Sequence, residues 1–89
     1  MKKHIFIEGR VQGVGFRHYT RKNAESLGVT GWVKNLEDGR VEAVFQGDEE
    51  QVNELIERCK EGPVASYVKD IEIGKDSGVE DHDDFSVLF

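Results

Sequence analysis

The spacing of apolar residues changes along the chain, and each change marks an element. Ile5 and Ile7 alternate with His4 and Glu8, with Phe6 on the polar side, so residues 3–9 read as a half-buried strand. Phe16, Tyr19 with Thr20, Ala24 and Leu27 then recur at helical spacing, and Gly28 offers a left-handed stop, which predicts a helix from Phe16 to Leu27. Val29 to Asn35 is short, β-branched and aromatic, as a second strand should be. Glu37-Asp38-Gly39 is a turn signal before Val41, Ala43 and Phe45 on alternate positions, so strands two and three form a hairpin. After Gly47, Asp48 and Gln51 have the spacing of a capping box, and Val52, Leu55, Ile56 and Cys59 form one apolar stripe that stops at Gly62-Pro63. Glu49 and Glu50 at the start of that helix, and Arg58 and Lys60 at its end, complement its dipole. Val68 to Gly74 reads as a fourth strand with Ile71 and Ile73 on the core face. After a polar loop, Phe85, Val87 and Phe89 alternate as a terminal strand.

The order βαββαβ contains two strand-helix-strand units. It predicts an α+β fold, a ferredoxin-like sandwich in which two helices cover one face of an antiparallel sheet. An extra carboxy-terminal strand extends one edge of that sheet, and either edge is open to it. At 89 residues the chain is expected to be one domain, 1–89, burying about 60–65% of its unfolded surface. One cysteine, Cys59, excludes an internal disulfide and suits a reducing compartment. The amino terminus shows neither a signal peptide nor a membrane span, so the expected location is cytoplasmic.

Charge narrows the functional classes. The net charge of -6 argues against a general nucleic-acid binder, yet residues 1–22 hold Lys2, Lys3, Arg10, Arg17, Arg21 and Lys22 against the single acid Glu8. A local basic spot on an acidic chain favours a small anionic ligand. The stretch Gly9-Arg10-Val11-Gln12-Gly13-Val14-Gly15-Phe16-Arg17 lies between the first strand and the first helix, where glycines let the backbone fold tightly and the helix dipole points its positive end outward. Arg17 falls in the first helical turn, where the dipole disfavours a cation by roughly 0.3–1 kcal/mol. A bound dianion turns that conflict into attraction.

Topology adds a second residue. With strand order 4-1-3-2, the second strand ends at Asn35 on the same rim as the glycine-rich turn, about 10 Å away across two strand spacings. An amide there can orient a water by donating and accepting hydrogen bonds, but it is no base. Other candidates carry less. Gly13 and Gly15 complete neither a dinucleotide fingerprint nor a P-loop, because position 18 is His and no lysine follows a glycine in the required place. His18 lies next to Arg17 and could help bind anions, though a helix-surface residue is the favoured reading, and His4 and His82 are weaker still. The run Glu80-Asp81-His82-Asp83-Asp84 reads as solvated, so no metal is assigned. Cys59 reads as core. Trp32 could fill the core or flank the site, and packing is the favoured reading. A single-strand RNA binder would want exposed aromatics on the open sheet face, where strand three offers Glu42, Val44 and Gln46.

Gln12-Gly13-Val14-Gly15-Phe16-Arg17 closely resembles the signature of acylphosphatases, and Gly31-Trp32-Val33-Lys34-Asn35 resembles their second signature. The resemblance extends to length and element order over nearly the whole chain. It implies metal-free, cofactor-free hydrolysis of acyl phosphates to a carboxylate and inorganic phosphate. Arg17 would bind the phosphate, Asn35 would position the attacking water, and the backbone from Gln12 to Phe16 would supply N–H groups. The chain departs from the family pattern at Val64, where many relatives have a second proline, and at Phe89, where tyrosine is frequent. The expected partner is a small acyl phosphate, or a phosphate- or sulfate-like anion, with no nucleic acid and no membrane, bound by a monomer. The competing expectation is a non-catalytic anion-binding or protein-interaction module on the same fold.

Overall fold

A computed structural model describes residues 1–75 and 81–89 of the chain. Its elements run β1 (Lys2–Arg10), α1 (Phe16–Leu27), β2 (Thr30–Asn35), β3 (Val41–Gln46), α2 (Glu49–Glu61), β4 (Tyr67–Lys75) and β5 (Phe85–Val87). The strands form one sheet in the order β4-β1-β3-β2-β5. All pairings are antiparallel except β2 with β5, which run parallel with Gly31 opposite Phe85 and Val33 opposite Val87. The extra strand therefore extends the β2 edge, and the sheet is mixed there.

Period-two patterning sets the core. Ile5 pairs with Ala43 on one side and Ile73 on the other, Ile7 with Val41 and Ile71, so these residues share the helix-facing side of the sheet. Ile5, Ile7, Val33, Val41, Ala43, Phe45 and Phe85 are buried there against Phe16 and Ala24 of α1 and Val52, Leu55, Ile56 and Cys59 of α2. Each fully buried aliphatic or aromatic side chain is worth about 1.5–3 kcal/mol of transfer free energy. Ile73 departs from expectation, being 44% exposed. It lies on the helix side by register, but it sits toward the far end of edge strand β4, whose helix-side core contacts are made by Val68 and Ile71.

Both helices keep their expected bounds. Gly28 closes α1 in the left-handed region (φ 72°), and Val29 N–H to Ala24 O (2.9 Å) with Gly28 N–H to Glu25 O (3.3 Å) completes a Schellman pair. At α2 the expected capping box does not form: Asp48 is extended and makes no side-chain cap bond, which leaves the acids Glu49 and Glu50 to complement the dipole. Trp32 is also corrected. Val33 points into the core, so its neighbour Trp32 emerges on the opposite, open face, with Lys34 Nζ 5.4 Å from its ring centre and the His4 ring 6.2 Å away. On that face Phe6 lies under the Arg40 guanidinium (4.8 Å), and His4 Nε2 meets Glu42 Oε2 at 2.6 Å. No helix among the described residues is long and apolar enough to cross a membrane.

Candidate active site

Three strands running the same way deliver their carboxy-terminal ends to one rim, together with the start of α1. There a pocket of about 340 Å³ is lined by Gly13, Gly15, Phe16, Arg17 and Asn35, with Val11, His18, Arg21, Val87 and Phe89 completing the wall. The strand-order argument thus brings Arg17 and Asn35 into one cavity.

The glycine-rich turn alternates anchors with open backbone. Val11 and Phe16 are each only 1% exposed and Val14 packs against the core, so the turn is pinned from below. Gly13 (φ 73°) and Gly15 (φ 79°) lie in the left-handed region, the alternation from which anion-binding backbone turns are built. The first helical hydrogen bond runs from Tyr19 N–H to Gly15 O (3.0 Å), and the N–H groups from Gly13 to His18 find no acceptor among the described residues. They are unpaired donors at the positive end of a helix dipole. Gln12 and Val14 do not line the pocket. The Gln12 amide instead donates to Leu36 O (2.7 Å) and Arg40 O (3.0 Å), clasping the turn to the β2–β3 hairpin next to Asn35. That hairpin is held in turn by Asp38, which accepts from Arg40 N–H (3.0 Å) and Nε (2.8 Å), and the Arg40 N–H holds its carboxyl below the usual carboxylate range.

Arg17 is held from the carboxy-terminal side. Its Nη1 donates to Leu88 O (3.1 Å), and its guanidinium lies 5.1 Å from the Phe89 ring centre. Leu88 N–H in turn bonds Val33 O (2.9 Å), continuing the β5 ladder. Phe89 is corrected by this geometry: β5 ends at Val87, and Phe89 stands fully exposed over Arg17 rather than facing the core. Asn35 is distinguished by what it lacks, since its Oδ1 is buried with no hydrogen-bond partner. A buried acceptor left unpaired costs roughly 1–3 kcal/mol, a cost that native folds accept where the group has another use.

Sequence reasoning missed Arg21 as a pocket residue and the Leu88 carbonyl as the acceptor that holds Arg17. Arg21 carried a signal, the four-residue spacing from Arg17 that puts both on one helix face. Leu88 carried none until the edge joined by β5 was known. His18 is exposed on the pocket wall, as a helix-surface residue should be. His4 lies on the open face, away from the pocket. Cys59 is buried with its thiol pushed up to about 12 by burial, against Thr20 Oγ1 at 3.9 Å, which fits packing rather than reactivity. In the acidic run, Glu80 lies outside the described residues. Asp81 approaches Lys2 Nζ (3.9 Å) and the Gln46 amide (3.3 Å), the backbone N–H of His82 donates to Gln46 Oε1 (3.1 Å), and the Asp84 carbonyl accepts from Gly31 N–H (2.8 Å), so the run docks the approach to β5.

Fold and rim together define a ferredoxin-like sandwich with a glycine-rich turn and an arginine at a helix entrance. The acylphosphatase family profile matches residues 3–87, and the chain belongs to that family. It is 52% identical over 73 residues to an acylphosphatase of Trichormus variabilis, covering 82% of this chain and 72% of that one. It is 44% identical over 86 residues to an acylphosphatase of Syntrophus aciditrophicus, covering 97% and 90%. The crystal structure of acylphosphatase from Bacillus subtilis superposes with a TM-score of 0.94 at 39% identity, covering 99% of this chain and 98% of that one.

Proposed function

We propose that this chain hydrolyses acyl phosphates by in-line attack of a water held by Asn35, with the phosphoryl oxygens gripped by Arg17 and the free N–H groups of the glycine-rich turn. The unpaired buried Oδ1 of Asn35, in the wall of the pocket that Arg17 shares, carries the reading. The water oxygen bonds to phosphorus as the bond from phosphorus to the acyl oxygen breaks. The electron pair leaves on the carboxylate, and the water's proton passes to a phosphate oxygen. Phosphoryl transfer depends mostly on positioning and on stabilising charge on the equatorial oxygens, which a guanidinium and a row of amide donors supply. The carboxylate leaves without needing a proton, so no strong acid is required beside it. Gln12 acts through its clasp on the hairpin, which holds the turn and the end of β2 together.

Membership in the acylphosphatase family favours this reading over a non-catalytic module. The small local anion seat on an acidic chain supports a small-molecule substrate rather than nucleic acid, and the single buried free thiol suits a reducing compartment such as the cytoplasm. The test is steady-state hydrolysis of benzoyl phosphate in the presence of a chelator. Wild type should remain active, and Asn35→Ala should lose about 10²–10³ in kcat with little change in KM, as for removal of one positioned polar group. Retained turnover in the variant removes Asn35 from the mechanism. Loss of wild-type activity that added metal restores removes the metal-free account.

A further inference from the structure

The pocket is larger than its proposed phosphoryl tenant. A phosphoryl group has four heavy atoms, the bulk of about four waters, whereas the cavity measures about 340 Å³. The remaining wall, beyond the glycines, Arg17 and Asn35, includes His18, Arg21, Val87 and Phe89. Its charge is one-sided. In a chain with 18 acidic and 12 basic residues, no described Asp or Glu side chain lines this pocket, while Arg17 and Arg21 both do, with the imidazole of His18 between them in sequence.

Arg21 follows Arg17 by four residues, which puts it on the same face of α1 about 6 Å further along the axis. Among the described residues its one ion-pair partner is Glu25, in a single contact of 3.5 Å between side chains that are 51% and 57% exposed. Such a pair is loosely held and easily exchanged for another carboxylate. With covalent bonds of about 1.5 Å, phosphorus and the far carboxyl carbon of a four-carbon diacid monophosphate lie roughly 6 Å apart. That span matches the step from Arg17 to Arg21.

We propose that Arg21, with His18 beside it, forms an acyl-end subsite that selects acyl phosphates whose acyl part carries a second anionic group. The inference rests on the reading of Arg17 and the glycine-rich turn as the phosphoryl seat. Val87 and Phe89 supply the apolar wall for the carbon chain between the two anions, and Arg21 leaves Glu25 to meet the distal carboxylate.

The experiment compares kcat/KM for succinyl phosphate and for butanoyl phosphate, its uncharged counterpart of equal length, in wild type and Arg21→Gln. Wild type should prefer succinyl phosphate by about 3–5-fold at low salt, the range expected of a partly exposed ion pair. The preference should shrink as ionic strength rises and fall to near one in Arg21→Gln. Because the readout is a ratio within one protein, a general loss of activity in the variant cancels. A wild-type ratio near one, or an unchanged ratio in Arg21→Gln, overturns the subsite while leaving acyl phosphate hydrolysis intact. Failure to hydrolyse either substrate overturns the phosphoryl seat and the subsite together.

Discussion

The two strand-helix-strand units start their helices with opposite chemistry. At α2 the chain arrives through extended Asp48 (φ -64°, ψ 146°) and places Glu49 and Glu50 in the first turn, so the positive end of the dipole meets the chain's own carboxylates. At α1 it arrives through left-handed Gly15, has no acid in the first turn and puts Arg17 there instead. One entrance is neutralised from within, and the other is left positive. The α2 entrance follows the ordinary rules of helix stability, while the α1 entrance departs from them in three ways that all favour a bound anion: free N–H groups, a cation at the dipole's positive end and glycines in the left-handed region.

The largest test of this contrast is Arg17→Ala. It should lower kcat/KM by about 10³–10⁵, the range for an arginine at a transferring phosphoryl group, with both kcat and KM affected. A loss below tenfold would make the α1 entrance no more functional than that of α2. Next comes Gly15→Ala. A Cβ there meets nothing within 4 Å, so the penalty is the backbone conformation alone. Thermal or denaturant unfolding should show a loss of about 1–2 kcal/mol, together with reduced kcat/KM from a distorted turn. Unchanged stability would mean that the turn relaxes freely.

A smaller change should separate stability from function. His18→Glu gives α1 the first-turn acid that α2 already has, so unfolding should shift toward greater stability by about 0.3–1 kcal/mol while inhibition by inorganic phosphate weakens. Movement of both in the same direction would break the contrast. The smallest effect belongs to Glu49→Gln with Glu50→Gln, which should cost about 0.3–1 kcal/mol of stability and leave acyl phosphate hydrolysis at its wild-type rate. A marked loss of hydrolysis would show that the far rim contributes to catalysis.

Most of this arrangement was legible before the structure. The apolar spacing from Phe16 to Leu27 and the stripe from Val52 to Cys59 marked both helices, because the buried face of a helix is mostly apolar, Thr20 being admitted only with its hydroxyl bonded to Phe16 O. The two βαβ units gave the strand order and so brought Arg17 and Asn35 to one rim. The edge taken by β5 was not legible: its pairing with β2 is made by backbone groups, such as Leu88 N–H on Val33 O, that carry no side-chain mark. The reading of Phe89 failed with it. Trp32 could have been read correctly, since Val33 faces the core and adjacent strand residues face opposite ways. The unmade cap at Asp48 shows the limit of spacing alone, because Gln51 is exposed and the adjacent acids already serve the dipole.

The direction of β5 also makes the two ends of this chain unequal places to attach anything. Met1 sits at the far rim, its carbonyl accepting from Gly47 N–H (3.0 Å), on a molecule 30 Å in its longest dimension. Phe89 sits over the guanidinium of Arg17. A tag, label or fused domain added before Met1 begins on the opposite rim and has free water around it. The same addition after Phe89 begins at the mouth of the pocket, so affinity handles and reporters placed there would alter the property they were meant to report.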